Sequence, residues 1–112
     1  MNNEVKSPHS QTSSPDMPVV HSKEEEMFSL SLPGHEVAFL KYRFLDRQHS
    51  TVEMFTTVVP PSLGGRGIAK ILADEAFNWA VENDLKMKLT CWYLSGYLQR
   101  HPRDSVSKLT VS

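Results

Sequence analysis

The stretch Pro60-Pro61-Ser62-Leu63-Gly64-Gly65-Arg66-Gly67-Ile68-Ala69 sets three glycines between a run rich in β-branched residues and a run with helical periodicity. That is where anion sites form. The unpaired N–H groups of a first helical turn and the positive end of the helix dipole attract negative charge, and glycines let a phosphate approach the backbone. Arg66 adds a planar fork of donors suited to phosphate. The same glycines equally serve a plain tight turn from strand to helix. Two nucleotide motifs are excluded by the residues themselves. A P-loop requires Lys-Ser or Lys-Thr after its last glycine, and a dinucleotide fingerprint requires G-x-G-x-x-G, whereas Gly65-Arg66-Gly67 runs into Ile68-Ala69-Lys70.

Metal and disulfide chemistry have little to work with. Cys91 is the single cysteine, which rules out an intramolecular disulfide and a cysteine-rich zinc site. The five histidines, His9, His21, His35, His49 and His101, lack the i, i+4 spacing of a helical metal site. Only His101 falls near the predicted C-terminal helix, where a surface position at the helix end suits it as well as any chemistry. Glu24-Glu25-Glu26 reads as a solvated cluster or the start of an edge strand.

The elements that must position the glycine loop follow from periodicity. Phe28, Leu30 and Leu32 alternate with Met27, Ser29 and Ser31, a period of two that predicts a half-buried strand, and Pro33-Gly34 ends it. Residues 36–44 predict a second strand, Asp46 to Ser50 a polar turn, and the β-branched run from Thr51 to Val59 a third strand closed by Pro60-Pro61. Beyond the glycines the period changes to 3.6, with Ile68, Ile71, Leu72, Ala76, Trp79 and Ala80 on one stripe, ending near Asn83-Asp84. Residues 85–92 predict another strand, and 93–99 a short helix. Strand, helix and strand in succession make a crossover unit with two parallel strands.

The chain has 112 residues and a formal net charge of −1, which limits it to one small core and leaves it without the basic footprint of a nucleic-acid binder. No apolar run approaches the roughly 20 residues needed to cross a bilayer, so no membrane partner is expected. A cytoplasmic setting, or a nuclear one, is expected by exclusion. Residues 1–22, with three prolines among Ser, Asn, Gln and Thr, are expected to lack order, 23–102 to form the domain, and 103–112 to be a polar tail with room for a short strand.

Gly67-Ile68-Ala69 resembles the second half of the acetyl-CoA loop of the GNAT acetyltransferases, written Q/R-x-x-G-x-G/A. Val59-Pro60 before it, Gly65 to Lys70 through it, and Leu89-Thr90-Cys91-Trp92-Tyr93 after the helix resemble the small single-domain branch known as the N-acetyltransferase domain-containing protein 1 family, over residues 23–102. The resemblance implies an α+β fold of minimal GNAT type: an antiparallel meander, a strand-helix-strand unit whose parallel strands splay, and a short C-terminal helix. It implies acetyl-CoA or CoA as cofactor and N-acetyl transfer to an amine, on a small molecule or a protein; a small domain with an edge strand is expected to be a monomer or a weak homodimer. The residues it assigns to the cofactor are Val58, Val59, Leu63, Gly64, Gly65, Arg66, Gly67, Ile68, Ala69 and Tyr93. Cys91 would face the thioester as a transient acyl acceptor, or else pack as a small apolar residue. Tyr97 would protonate the departing thiolate, or else pack as an aromatic whose hydroxyl reaches the surface. Departures from the family pattern stand beside the matches. Gly64 replaces the usual Arg or Gln, and Thr56-Thr57-Val58-Val59-Pro60 stands where the branch carries His-Thr-Glu-Val-Pro, so neither candidate general base is present. A domain that keeps the fold without catalysis, as an interaction module, is the alternative implied.

Overall fold

Alternation of apolar and polar residues builds a sheet in the first half of the chain. The computed structural model describes residues 18–111, so most of the N-terminal stretch expected to lack order, residues 1–17, lies outside the described residues. Strands β1 (Val20–Ser22), β2 (Met27–Leu30), β3 (Ala38–Phe44) and β4 (Thr51–Val58) pair in antiparallel succession, and β5 (Lys86–Leu89) joins β4 in parallel, giving the order β1-β2-β3-β4-β5. Helices α1 (Ile68–Glu82), α2 (Trp92–Arg100) and α3 (Asp104–Ser107) complete the α+β architecture. The meander, the parallel pair and the helix after it are those predicted from periodicity.

The core lies between one sheet face and α1. Phe28, Leu30, Leu40, Tyr42, Val52 and Met54 meet Leu72, Ala73, Ala76, Phe77 and Ala80 there, all buried. The buried side of α1 is rotated from the stripe read from sequence: Ala73 and Phe77 are in the core, whereas Ile71 and Trp79 are only partly buried. The helix stops in a Schellman arrangement. Leu85 N–H donates to the Ala80 carbonyl at 2.8 Å and Asp84 N–H to that of Val81 at 3.2 Å, with Asp84 left-handed at φ 54° where a glycine is usual.

Residues 20–22 and 104–111 are more structured than the sequence suggested. Val20 to Ser22 form β1 because His21 has something to bury: its ring stacks on Phe28 at 4.0 Å, and its Nε2 lies 2.6 Å from the Tyr42 hydroxyl. At the other end, α3 buries Val106, and Met87 N–H donates to the Leu109 carbonyl while Val111 N–H donates to that of Met87, both at 2.8 Å. Residues 109–111 thereby cover the outer edge of β5, an edge that would otherwise invite pairing with another chain. The apolar pair Val106 and Leu109, inside an otherwise polar stretch, is what turns the expected tail into part of the domain.

Burial gives His21 a testable pH signature. Desolvation first, and the Lys23 charge second, lower its pKa from 6.5 to about 4. The unfolded chain therefore binds this proton more readily than the native state between those values. Native stability from this group is complete above about pH 6.5 and is lost as pH falls towards 4. Urea midpoints measured at pH 7 and pH 4.5 should drop more in the parent protein than in a His21→Gln variant, which has no imidazole to charge. An equal drop in both would assign the acid sensitivity to the carboxylates instead.

Candidate functional site

A single extra residue opens the site. β3 and β4 are in register from Phe44↔Val52 to Tyr42↔Met54, then resume at Lys41↔Thr56, so Phe55 is a β-bulge on β4. At the same level β4 and β5 part. Their pairing ends at Met54↔Leu89, and the Met54 carbonyl accepts from both Thr90 N–H and Cys91 N–H at 3.2 Å, after which the chain turns into α2. Beyond Met54, β4 continues to Val58 with β3 on one side and, among the described residues, no strand on the other.

The bulge decides which backbone groups face that gap. Along a strand, alternate residues direct N–H and C=O to opposite neighbours. Before the bulge, Ser50 and Met54 accept from β5 and its flank while Thr51 accepts from Leu45 N–H, so even residues face β5 and odd residues face β3. One inserted residue reverses the parity. Val58, opposite Phe39, is turned to β3, whereas Thr57 and Val59 present their backbone to the gap. Of the two valines expected to pair with the cofactor, Val59 turns its backbone to the gap and Val58 to β3, and Thr57, not singled out from the sequence, also faces the gap.

The glycine loop leaves from the same end of β4. Leu63, fully buried in a 3-10 turn over Pro61–Leu63, anchors it, and the Ser62 hydroxyl is 3.1 Å from His35 Nδ1. Gly64 is extended, at φ −64°, while Gly65 and Gly67 are left-handed at φ 79° and 72°, which is why glycine stands at those two places. A Cβ at either would meet nothing within 4 Å, so the loop turns an open face to solvent. Gly67 is the N-cap of α1, and neither a side-chain cap nor an acidic residue in the first turn satisfies that end. The leading amides, from Ile68, Ala69 and Lys70, thus remain donors with the helix dipole behind them. Arg66 is exposed and Ile68 is buried, so Arg66 alone of that pair has a side chain free to meet a ligand.

Three candidate side chains cluster around the start of α2. Cys91, its N-cap, is 6 % exposed and its thiol donates to Thr57 Oγ1 at 3.5 Å, across the parted strands. Tyr93 and Tyr97, one turn apart, stack at 5.9 Å. Tyr97 is buried, and its hydroxyl, in place of reaching open solvent, donates to Asp74 Oδ1 of α1 at 2.9 Å; Lys70 Nζ donates to Oδ2 of the same carboxylate at 3.0 Å. Burial first, then the Asp74 hydrogen bond, raises the Tyr97 pKa, and burial raises that of Tyr93. Both phenols therefore carry their protons at neutral pH, as a proton donor must, although that of Tyr97 is directed to Asp74. Asp74 was not singled out from the sequence, where it falls off the apolar stripe of α1. Among residues 51–58 the one carboxylate is Glu53, engaged by Thr90 Oγ1 at 2.7 Å and Arg43 Nε at 3.0 Å, which hold its pKa below the usual value. Thr56 and Val58 share the opposite face from Thr57, and neither titrates. His101, at the end of α2, is exposed, with its ring 5.0 Å from that of Tyr97. Among the described residues, no group of three or more His, Cys, Asp or Glu is placed to hold a metal ion.

A bulged strand, a parallel neighbour that parts from it, and an uncapped glycine-rich helix start at the same end define a GNAT-type domain. Comparison with known proteins agrees: a family model described as GCN5-related N-acetyl-transferase matches residues 27–107, and the chain belongs to that family. The proteins called NATD1 from Xenopus tropicalis, mouse and human are 42 %, 41 % and 40 % identical to it over 85 residues, covering 75 % of this chain and 76 %, 76 % and 74 % of theirs. A GCN5-like protein from Staphylococcus aureus, solved by NMR, shares the fold with a TM-score of 0.64 at 24 % identity, over 88 % of this chain and 92 % of that one. The family match reaches beyond residue 102 to include α3, in keeping with the burial of Val106.

Proposed function

We propose that the domain binds acetyl-CoA, and CoA after transfer, and serves N-acetyl transfer to an amine of a small molecule or a protein. The observation that carries the reading is the conjunction, at one end of β4, of a strand edge without a partner among the described residues and a helix N-terminus without a side-chain cap. An extended amide-bearing chain ending in a pyrophosphate matches both at once. Acetyl-CoA supplies the thioester that a neutral amine attacks. The chain's own residues have the remaining roles. The amides of residues 68–70 and the Arg66 guanidinium bind phosphate, Thr57 and Val59 offer backbone hydrogen bonds, Cys91 and Thr57 line the acyl end, and Tyr93 or Tyr97 holds a proton near it. The residues fit the cofactor better than they fit turnover, because the single carboxylate of β4, Glu53, is committed to Arg43 and Thr90.

Calorimetric titration of the full chain with acetyl-CoA and, separately, CoA tests this. Saturable binding with a dissociation constant in the micromolar range is expected for both, with a matching rise in melting temperature. No heat at millimolar ligand would overturn the reading. Binding without acetyl release to any of a panel of amines would favour the second reading, a cofactor-binding domain without turnover that acts through its partners.

A further inference from the structure

The helices occupy one face of the sheet and leave the other open. Leu94 and Tyr97 of α2 and Val106 of α3 join the same buried cluster that α1 forms with Leu40, Tyr42 and Met54. On the opposite face, none of the strand residues that alternate with those core positions is buried, and among the described residues no helix lies over them.

The open face carries a one-sided charge. The strand residues with a formal charge are Lys41, Arg43, Glu53, Lys86 and Lys88. All five point to this face, because Lys41 and Arg43 flank buried Tyr42, Glu53 sits between buried Val52 and Met54, and Lys86 and Lys88 flank buried Met87. Glu53 is already bonded to Arg43 and Thr90. Lys41, Lys86 and Lys88 are in no ion pair among the described residues. Every other described carboxylate sits on a helix or in a turn, so a chain of net charge −1 presents a cationic sheet face.

This patch borders the gap between β4 and β5. Lys41 is opposite Thr56, just beyond the level at which the strands part, and Lys88 is opposite Glu53, just before it. By strand rise and spacing, Lys41 and Lys86 stand about 16 Å apart, the span of about five extended residues. That is longer than a small metabolite, and a polyamine or a lysine-rich tail would meet like charge along it. A nucleic acid is served less well, since the Arg43 guanidinium lies 4.5 Å over the Phe55 ring and takes that ring from base stacking.

We propose that this face holds the acceptor and that the acceptor is an acidic peptide, its amine at the gap beside Thr57 and Cys91 and its carboxylates against Lys41, Lys86 and Lys88. The inference rests on the acetyl-transfer reading and names its substrate class. On transfer the peptide nitrogen bonds the acetyl carbon, the carbon–sulfur bond breaks, and the proton lost by the amine ends on the departing sulfur.

The full chain, labelled with nitrogen-15, is titrated with the peptide Ala-Glu-Asp-Glu-Asp-Glu, with Ala-Gln-Asn-Gln-Asn-Gln, which has the same shape without the charge, and with an oligothymidylate. The expected result is a saturable shift of the Lys41, Lys86 and Lys88 amides by the acidic peptide, with the uncharged one roughly tenfold weaker. With acetyl-CoA added, mass spectrometry should show the acidic peptide acetylated faster than Ala-Lys-Arg-Lys-Arg-Lys. Lys88→Gln should weaken the acidic peptide roughly threefold with the melting temperature kept. The comparison of the two isosteric peptides needs no variant, so it does not depend on how Lys88→Gln folds. The proposal is overturned by the absence of a saturable shift up to about 10 mM peptide, by equal binding of the two isosteres, or by tighter binding of the oligothymidylate. It is equally overturned if these amides shift with protein concentration alone, which would assign the face to a second copy. Missing peptide shifts beside intact CoA binding remove this inference alone, whereas a null CoA titration removes the acetyl-transfer reading and the acceptor role with it.

Discussion

Gly67→Asp should weaken CoA binding by about 3 kcal/mol, roughly hundredfold, while Gly67→Asn leaves most of it intact. The pair isolates charge. Gly67 is left-handed at φ 72°, a conformation that Asn and Asp tolerate better than other side chains, so both variants carry nearly the same backbone cost. Neither side chain meets a neighbour, since a Cβ at this position has nothing within 4 Å. What differs is a carboxylate at the uncapped start of α1, where it accepts from the amides that a pyrophosphate would use and repels the phosphate itself. Calorimetry gives the affinities, and a thermal melt of each variant shows whether the fold is kept. Equal affinities for Asp and Asn would remove the glycine loop from the cofactor site. The family's own variation suggests a gain in the opposite sense: Gly64, already extended at φ −64°, accommodates a side chain with a 3.3 Å contact to the Pro61 carbonyl as its main obstacle, so Gly64→Arg adds a cation without a backbone penalty.

The reading from sequence succeeded where one local pattern governs the structure and stopped where distant residues do. From Met27 to Met54 the strands obey a period of two, and α1 obeys 3.6, so their order was legible. The glycine loop was legible for the same reason: left-handed backbone at Gly65 and Gly67 demands a residue type that composition displays. The bulge at Phe55 was not. It leaves no residue signature, because a phenylalanine suits a regular strand equally well, yet it reverses the parity of β4 and moves the gap-facing backbone from Val58 to Thr57. Asp74 was hidden similarly. On the helix it is the i+4 partner of Lys70, and only the approach of α2 gives it the Tyr97 hydroxyl. His21 lies in a stretch whose composition argues against order, and its burial depends on Phe28 and Tyr42, which arrive from two other strands.

Phe77 supplies the sharpest stability test because sequence and structure rank it differently. The helical stripe gave weight to Ile71 and Trp79, whereas the structure leaves those two partly exposed and buries Phe77 completely. Its ring lies 6.4 Å from that of Tyr97, so it supports α2 from beneath as well as filling the space under α1. Phe77→Ala is expected to cost about 3–5 kcal/mol, the loss of a large buried ring and the cavity it leaves. Domains of this size have total stabilities on the order of 5–15 kcal/mol, so a large share is at stake. With a shift of about 4–8 °C per kcal/mol, the melting temperature should fall by at least about 12 °C. Trp92→Ala, which removes a larger side chain that is 82 % exposed, should change stability by no more than about 0.5 kcal/mol. A comparable loss in both would mean that α2 is held by its outer face and not by the Phe77–Tyr97 contact. If the order holds, the same variant should also weaken CoA binding, because the turn that carries Cys91 and Tyr93 is fixed in place by the helix that Phe77 supports. Titration of Phe77→Leu, which retains most of the volume, separates that positional effect from simple unfolding.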